Sequence, residues 1–353
     1  VKSSYVDKVD DKQLMEGAIQ GMLASLDPHS GFLDRTDFNS LRTQIDGEYG
    51  GLGLTVTMED EAVKVIAPTK DTPADKAGIK SGDFITHLDG KLIVGGTLDE
   101  AVEAMRGTPG TTIKLSIFRP GRDAPFDLTL TRAIIDLKPV RWEVKDRIGI
   151  ISVTGFSEQT GADVVAAVAG IKKTLGGNPL GYIVDLRSNP GGILDEAVAV
   201  SDAFLTKGEI VSERGRDKND ISHWWAERAV PGDVTNGAPI IVLVDAGSAS
   251  ASEIVAGALQ DHHRALVMGE RSFGKGSVQN VLPLTRDTGL RLTVARYHLP
   301  SGRSVQEGGI KPDIRVPQLT DPDYKMRVSV RESDLRRHLV NELKDDNKDL
   351  EKD

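Results

Sequence analysis

One junction between a buried strand and a buried helix constrains this chain more than any other stretch. Residues 240–244 read Ile-Ile-Val-Leu-Val, a continuous apolar run that predicts a buried strand. Residues 254–259 predict a buried helix, and residues 247–253 between them read Gly-Ser-Ala-Ser-Ala-Ser-Glu. A side chain in such a turn lies at the carboxyl edge of a sheet, beside helix N–H groups that lack partners. The junction therefore favours a nucleophile next to an oxyanion site.

A second loop, residues 272–279, contains a lysine between two glycines. It reads Ser-Phe-Gly-Lys-Gly-Ser-Val-Gln, and the apolar residues 265–269 before it predict another strand. Burial favours the neutral amine of a lysine such as Lys275. A neutral lysine within hydrogen-bond reach of a serine is a general base that needs no histidine. Since adjacent strand ends bring their loops together, we expect the serine turn and this loop to be neighbours.

Both features have an ordinary structural alternative. The stretch from Ser250 to Glu253 fits a capping box, in which the serine only caps the helix. A single lysine is most often a solvated surface residue. A Ser/His/Asp triad is disfavoured, because His262 and His263 follow the predicted helix about three turns beyond the serine, at about 1.5 Å per residue.

Composition restricts the class of protein. The 353 residues carry a net charge of −9, which argues against a general nucleic-acid binder. The absence of cysteine excludes thiol catalysis, disulfides and thiolate metal sites, and no paired histidine motif predicts a metal. No apolar run in the sequence is long enough to span a membrane. Because the sequence starts at Val1 without a methionine or signal peptide, we expect a mature or trimmed form.

The two ends of the chain differ from its middle. Residues 1–45 predict polar helices, interrupted where residues 27–30 read Asp-Pro-His-Ser. His29 in this turn is expected to be structural. Residues 321–353 are highly charged, and the spacing of three leucines predicts a helix there. These leucines are Leu335, Leu339 and Leu343.

From about residue 134 the predicted strands alternate with helices. This order predicts a mostly parallel sheet with helices on its faces. Sites in such sheets lie at the carboxyl ends of the strands. The apolar strand predicted over residues 182–186 leads into Arg-Ser-Asn-Pro-Gly-Gly at residues 187–192, so we expect this turn at the same edge as the serine turn.

The intervening segment resembles a PDZ domain over residues 46–133. The resemblance is carried by Gly-Leu-Gly-Leu at residues 51–54, by residues 77–83 and by the Asp-Gly turn at residues 89–90. A phosphate-cradling loop is excluded because the glycine-rich loop leads into a strand rather than a helix. The resemblance implies that backbone N–H groups of this loop hold a peptide's terminal carboxylate, while the peptide adds as a strand. These loop residues are Gly51, Leu52, Gly53 and Leu54.

Residues 134–320 resemble the catalytic domain of the carboxy-terminal processing peptidases, tail-specific serine proteases of peptidase family S41. The matching residues are 187–192, the serine turn and the lysine loop. N-terminal helices, an inserted PDZ domain and a charged helical tail occur in the same order in that family. The resemblance implies an α/β multidomain protein whose protease core has a crotonase/ClpP-like fold.

The same resemblance implies a role for each site residue. Ser250 corresponds to the nucleophile, Lys275 to the general base and Gln279 to the residue that orients the lysine. Lys275 and Gln279 meet if one helical turn or a curled loop joins them. The implied oxyanion donors are the backbone N–H groups of Ala251 and of either Gly191 or Gly192.

Two neighbouring serines compete with Ser250 for the nucleophile's role. Ser248 is expected on the strand side of the turn, and Ser252 is expected inside the helix. The middle serine is therefore the preferred nucleophile.

The resemblance also implies partners, a compartment and a regulatory residue. Arg106 is implied to link a PDZ domain holding its ligand to the catalytic site, and a helix-terminal cation facing the helix dipole is the alternative. The implied partners are protein or peptide substrates with accessible C-termini, an activating lipoprotein and further copies of the chain, with no nucleic acid. No cofactor is implied, and the compartment is the periplasm or another exported location of the bacterial envelope.

Two rival functions come from other classes. The first is a PDZ peptide-binding adaptor fused to an inactive hydrolase-like fold, and the presence of Ser250, Lys275 and Gln279 together argues against it. The second is an acyl-CoA enzyme of the crotonase type, and the absence of an acidic or histidine pair in the predicted loops argues against that.

Overall fold

The computed structural model describes residues 2, 4–59, 61–93, 95–122, 124–217, 219–226, 232–317 and 330–342. The helices are α1 Asp11–Leu23, α2 Arg35–Asp46, α3 Pro73–Lys76, α4 Leu98–Met105, α5 Thr160–Leu175, α6 Leu194–Asp202 and α7 Ala251–Asp261. The strands are β1 Gly31–Leu33, β2 Glu48–Gly51, β3 Leu54–Glu59, β4 Ala62–Pro68, β5 Phe84–Leu88, β6 Lys91–Leu92, β7 Thr112–Phe118, β8 Phe126–Thr131, β9 Ala133–Asp136, β10 Val140–Lys145, β11 Ile148–Val153, β12 Gly181–Asp185, β13 Gly208–Gly215, β14 Ile221–Ala226, β15 Ile240–Val244, β16 Leu266–Gly269, β17 Ser277–Pro283, β18 Gly289–His298 and β19 Ile314–Arg315. Among the described helices, none has the length and apolar character that crossing a membrane requires.

The chain forms two compact units. The larger unit consists of Val1–Ile45 and Lys138–Asp353, and the smaller unit consists of Asp46–Leu137. The smaller unit is thus inserted in the sequence between two parts of the larger one.

The central sheet of the larger unit is mostly parallel, as the alternation of strands and helices predicts. Its strand order is β10-β11-β12-β15-β16-β19, and only β10 runs antiparallel to its neighbour. Val184 in β12 and Val242 in β15 are completely buried, which explains why these strands read as continuous apolar runs. Because β12, β15 and β16 are adjacent and parallel, the three loops that follow them leave the sheet at one edge.

A second sheet in the larger unit ties the N-terminal segment to the rest. Its order is β1-β18-β13-β14, and β17 also pairs with β18, over residues 289–296. The short strand β1 pairs antiparallel with β18, so that Gly31 faces Arg291. Sequence reasoning treated the residues between α1 and α2 as a helix break and missed this strand.

The smaller unit contains the strands and helices that the PDZ resemblance implies. Its sheet has the order β3-β4-β5-β7-β8, so β3 lies at an edge. Its core includes Val63, Ile85 and Leu115, which have no exposed surface. Thr97 begins α4 with a capping box, since its hydroxyl accepts from the Glu100 N–H and the Glu100 carboxylate accepts from the Thr97 N–H.

The described part of the C-terminal tail differs from the predicted helix. Residues 330–342 contain a single 3-10 turn, Glu332–Asp334, and no α-helix, so Leu335 and Leu339 do not share a helical face. The backbone groups here bond to distant residues instead, as when the Leu339 carbonyl accepts from the Gln306 amide at 2.8 Å. Leu343 lies outside the described residues.

Candidate active site

Ser250 occupies a strained turn at the start of α7. Its φ of 55° and ψ of −114° are unusual for a residue with a side chain. Gly191 packs directly against this turn, and a Cβ at position 191 would lie 2.9 Å from the Ser250 Cβ. The Ser250 hydroxyl makes no capping hydrogen bond, and the Glu253 N–H donates to the Ser250 carbonyl oxygen at 2.8 Å. The serine hydroxyl is therefore not occupied in capping the helix.

The neighbouring serines are buried and engaged. The Ser248 hydroxyl donates to the Leu186 carbonyl at 2.8 Å, and the Ser252 hydroxyl donates to the Asn189 carbonyl at 2.9 Å. Both residues are completely buried, whereas Ser250 is half-buried and its hydroxyl bonds to no described residue. Of the three serines, only Ser250 combines access with an uncommitted hydroxyl.

Lys275 lies in the loop between β16 and β17, next to the serine turn. Burial, together with the nearby positive charge of Arg291, lowers the pKa of Lys275 to about 8. The carboxylates that oppose this effect belong to Glu332, Glu253 and Asp27. The Lys275 ammonium nitrogen and the Ser250 hydroxyl are not joined by a hydrogen bond in this conformation, and neither bonds to another described side chain. A lysine with such a pKa exists partly as the free amine near neutral pH.

The carboxylate of Glu253 joins the two loops. Its Oε1 accepts from the Ser272 hydroxyl at 2.6 Å and the Gly274 N–H at 2.7 Å. Its Oε2 accepts from the Ser250 N–H at 2.8 Å and the Lys275 N–H at 2.9 Å. Glu253 is buried, and burial raises its pKa to about 7 although all four donors favour the ionised form. The sequence predicted only a capping-box role for Glu253. It did not predict the hydrogen bonds between the Glu253 carboxylate and the lysine loop.

Tyr297, on β18, contacts the same two loops. Its hydroxyl lies 2.6 Å from the Lys275 carbonyl oxygen and 3.2 Å from the Ser250 carbonyl oxygen. The residue is buried, and burial raises the pKa of its phenol well above the ordinary value. The backbones that carry Ser250 and Lys275 are therefore both within reach of a single hydroxyl. Nothing in the sequence marked this tyrosine.

The turn after β12 supplies one side of the site. Asn189 is completely buried and connects this turn to the serine turn, since its carbonyl accepts from the Ala249 N–H at 3.0 Å. Its side-chain Oδ1 accepts from the Gly191 N–H at 2.9 Å. The N–H groups of Gly192 and Ala251 donate to no described residue. These two N–H groups remain available to an oxyanion in this conformation, while that of Gly191 is engaged.

Gln279 lies on a strand, so the helical turn considered for residues 275–279 is wrong. It belongs to β17, and a β-bulge lies between Val278 and Gln279 in the pairing with β18. The Gln279 amide nitrogen donates to the Ser277 hydroxyl at 2.9 Å and to the Thr293 hydroxyl at 3.2 Å. No described residue donates to its Oε1.

The loop before β3 in the smaller unit has unpaired backbone donors. The carbonyls of Leu52 and Gly53 accept from Ala74 and Thr69, but the N–H groups of Leu52 and Gly53 donate to no described residue. Gly53 has a φ of 75°, which favours glycine. With Gly51 at the end of β2 and Leu54 at the start of the edge strand β3, these residues form a backbone cradle beside an open sheet edge.

Arg106 lies at the C-terminal end of α4. Its guanidinium carbon lies 5.0 Å from the centre of the Tyr49 ring, which is a cation–π contact. Its Nε is buried and has no hydrogen-bond partner among the described residues. The helix-terminal position agrees with the dipole alternative, and the stacking on Tyr49 is a feature that the sequence did not predict.

His262 and His29 bond to groups other than Ser250, and no cluster that could hold a metal exists among the described residues. His262 caps the far end of α7 and contacts the Glu209 carbonyl at 2.6 Å. His29, expected to be structural, contacts the Glu332 carboxylate at 2.7 Å. No described histidine bonds to the Ser250 hydroxyl.

Sequence comparisons place known families on the same segments. A profile of peptidase family S41 matches residues 147–316, and a PDZ-domain profile matches residues 50–130. A profile of the N-terminal domain of the activating protease CtpB matches residues 1–37.

Two curated relatives match along almost the whole chain. The carboxy-terminal-processing protease of Bartonella bacilliformis is 51% identical over 348 residues, which span 98% of this chain and 80% of that protein. The carboxy-terminal processing protease CtpA of Bacillus subtilis is 36% identical over 328 residues, which span 92% of this chain and 68% of that protein.

Two solved structures share the architecture. The photosystem II D1 C-terminal processing protease matches with a TM-score of 0.52 and 29% identity, over 95% of this chain and 90% of that one. A putative S41 protease from Bacteroides fragilis matches with a TM-score of 0.53 and 18% identity, over 91% and 87% of the two chains. The second match bears on the fold alone.

Proposed function

The chain belongs to the carboxy-terminal processing proteases, which are serine peptidases of family S41, and on this basis we propose that Ser250 and Lys275 perform its chemistry. In this proposal Ser250 is the nucleophile of an endopeptidase, and the neutral amine of Lys275 is its general base. Gln279 orients the lysine through its amide. The core is proposed to be of the crotonase/ClpP type, since its central sheet is mostly parallel with helices against it.

The observation that carries the proposal is the bridge between the two loops. The Glu253 carboxylate holds the backbone N–H groups of both Ser250 and Lys275, at 2.8 and 2.9 Å. The serine hydroxyl and the lysine ammonium are left without other partners among the described residues. A side-chain rotation within these fixed backbones is what the proposal requires for the two groups to meet.

The proposed reaction is acyl transfer. The Lys275 amine takes the Ser250 hydroxyl proton while the serine oxygen attacks a peptide carbonyl carbon. The backbone N–H groups of Ala251 and Gly192 hold the oxyanion, and removing one such donor typically costs about 3 kcal/mol of barrier. The lysine ammonium then gives its proton to the leaving amine as the C–N bond breaks. Water, deprotonated by the same amine, hydrolyses the acyl-serine ester and restores the hydroxyl.

Proteolysis of an unfolded, casein-like substrate tests this assignment. Ser250→Ala and Lys275→Ala should each lower kcat/KM at least about a thousandfold while the variants remain folded, since each removes one member of the dyad. Lys145→Ala, at an exposed lysine on β10, is the matched control and should keep full activity. Full turnover by Ser250→Ala would overturn the proposal. An inactive wild-type chain that still binds peptide would favour the adaptor function.

We also propose that the smaller unit recognises the C-terminal tail of a substrate. The unpaired N–H groups of Leu52 and Gly53 suit a terminal carboxylate, and the open edge of β3 suits an added peptide strand. Binding to the full Ser250→Ala chain should be strong for a peptide ending in a free carboxylate and at least about tenfold weaker for its C-terminal amide, because the amide has no negative charge. Equal affinities for the two peptides would exclude this mode.

Arg106 is proposed to couple tail binding to catalysis. Its stacking on Tyr49 and its unpartnered Nε mark a guanidinium that is not fully satisfied in this conformation. Arg106→Ala should abolish any stimulation of cleavage by an added tail peptide and leave the peptide affinity unchanged. Stimulation that persists in this variant would reduce Arg106 to a helix-terminal cation.

We propose an exported location and proteins with accessible C-termini as substrates, as the resemblance to the family implies. Self-association and an activating lipoprotein are proposed on the same ground. Cell fractionation with an antibody against the chain tests the location, and a cytoplasmic pool alone would contradict it.

A further inference from the structure

The turn at residues 27–30, which sequence reasoning set aside as a helix break, lies against the active site. Asp27 is buried, and three groups of two neighbouring residues donate to it: the His29 N–H at 2.8 Å, the Ser30 N–H at 2.9 Å and the Ser30 hydroxyl at 2.7 Å. A fourth donor comes from β18, since the Thr293 hydroxyl bonds to the Asp27 Oδ1 at 3.0 Å. Thr293 is also the partner of the Gln279 amide at 3.2 Å.

The carboxylate of Asp27 fixes which way the Thr293 hydroxyl points. Burial opposes ionisation of Asp27, but its hydrogen bonds from Ser30, His29 and Thr293 outweigh burial and lower its pKa. An ionised carboxylate only accepts hydrogen bonds, so the single hydrogen of the Thr293 hydroxyl is directed at Asp27. The Thr293 oxygen can then only accept.

This direction decides the orientation of the Gln279 amide. A glutamine amide has a donating nitrogen at one position and an accepting oxygen at the other, and a rotation of its terminal torsion exchanges them. Ser277 accepts from the amide at 2.9 Å, but a serine hydroxyl could equally donate to a rotated amide. Thr293 cannot, because its hydrogen is held by Asp27. The amide nitrogen must therefore face Thr293, and Oε1 is left as the acceptor.

We infer that Asp27 and Thr293 are positioning residues, which orient Gln279 so that its Oε1 accepts a hydrogen bond from Lys275. This inference rests on the proposed function only in naming Lys275 as the base. Both groups are free to meet, since the Lys275 ammonium donates to no described residue and no described residue donates to Gln279 Oε1. The N-terminal segment of the larger unit thereby contributes to a site whose catalytic residues follow it by more than two hundred positions in the sequence.

Substitutions at Thr293 test the inference without removing any charged residue near Lys275. The charged groups that face this lysine are Arg291, Glu332, Glu253 and Asp27, and all four are retained. Thr293→Val keeps the shape and removes the hydroxyl, so the amide is free to rotate. Thr293→Ser keeps the hydroxyl and is the matched control. Thermal unfolding of both variants establishes that each is folded.

Kinetics on a peptide substrate give the first measurement. Thr293→Val should lower kcat about tenfold with KM within about twofold, whereas Thr293→Ser should stay within about twofold of the wild type in both. In a Gln279→Ala background, Thr293→Val should cause no further loss, because it acts through the amide that is already absent. Equal losses in the two backgrounds would overturn the inference.

The titration of Lys275 gives a second measurement that needs no catalysis. Lysines labelled with ¹³C at Cε are followed by NMR in the full Ser250→Ala chain, and Lys275 is assigned by Lys275→Arg. Removing an acceptor of the ammonium should move the Lys275 midpoint about one pH unit lower in Thr293→Val and leave it unchanged in Thr293→Ser.

The two measurements separate the two ideas. An inactive wild-type chain whose Lys275 midpoint still falls in Thr293→Val would refute the peptidase assignment and support the positioning role. If the wild-type chain is active, and Thr293→Val changes neither kcat nor the midpoint of the Lys275 titration, the positioning role alone is refuted.

Discussion

The two loops of the candidate site are built in different ways. The serine turn is held by a neighbouring turn of the central sheet, since Ser248 and Ser252 bond to the turn after the adjacent strand β12. The lysine loop is held by segments that lie outside the strands of that sheet. Its Gly276 N–H donates to the Gln306 side chain at 2.9 Å, and its Phe273 carbonyl accepts from the Glu332 N–H at 3.2 Å.

The difference separates the nucleophile from the base. A strand–turn–helix junction and the turn after the adjacent strand β12 position Ser250, so the geometry of the nucleophile depends on the central sheet. The environment of Lys275 instead requires segments from both ends of the chain, including Asp27 and Glu332. Substitutions in those distant segments are therefore expected to change the basicity of Lys275 and to leave Ser250 in place.

Outside the proposed pair Ser250 and Lys275, the largest effect is expected at Glu253, where the two loops are joined. Glu253→Ala leaves four donors in a buried site without their acceptor, so it should lower the free energy of unfolding by about 3 kcal/mol and kcat about a hundredfold. Glu253→Gln should lower the free energy of unfolding and kcat by less, because its amide oxygen still accepts hydrogen bonds. Urea unfolding and peptide turnover measure the two quantities.

A surface carboxylate provides the control for Glu253. Glu158 is exposed in the same unit, and Glu158→Ala should change the free energy of unfolding by less than about 0.5 kcal/mol. If Glu253→Ala were as mild as this control, the serine turn and the lysine loop would not depend on their common carboxylate.

The pH dependence of activity should report the base. The pKa of Lys275 is lowered to about 8, and the amine must be neutral to accept a proton. Activity should therefore rise with pH through about 8, and kcat/KM at pH 7 should be about a tenth of its plateau value. A profile that is flat between pH 6 and 9 would contradict a lysine base.

Removing a positive or a negative charge near Lys275 should shift that pH profile in opposite directions. Arg291 lowers the pKa of Lys275, so Arg291→Gln should move the acid limb to higher pH. Glu332 raises it, so Glu332→Gln should move the acid limb to lower pH. Each shift should be less than about one pH unit, because each charge is one of several near the lysine.

General damage to the fold cannot produce a pair of shifts with opposite signs. Glu342→Gln is the control in the C-terminal segment, since its exposed ion pair with Arg296 should contribute little. Shifts of the same sign in Arg291→Gln and Glu332→Gln would show that charge is not the cause.

Much of the architecture was predictable because its signals are local. The apolar runs at residues 240–244 and 265–269 predicted adjacent strands, and β15 and β16 are paired in parallel. The smaller unit has the predicted strands and helices, because alternation and helix caps mark them directly in the sequence. The candidate pair Ser250 and Lys275 was named from these runs and from the family resemblance together, and their roles stay predictions.

The remaining parts could not be read from local patterns. Spacing suggested that a helical turn or a curled loop joins Lys275 to Gln279, but pairing with β18 places Gln279 on a bulged strand, which excludes the helical turn. Spacing also suggested a helix in the tail, but long-range hydrogen bonds hold residues 330–342 in another form. Glu253 matched a capping box, and only the folded chain brings the lysine loop to its carboxylate.

The sequence by itself determined the order of the elements, the edge of the sheet where the loops emerge and the residue types available there. Hydrophobic periodicity and turn residues act over a few positions, so the strands, helices and turns they produce can be predicted without a structure. Only the tertiary structure decided what surrounds Lys275 and which way the Gln279 amide faces. Those features depend on burial and on hydrogen bonds between segments that are hundreds of residues apart. No local sequence pattern predicts contacts between such distant segments.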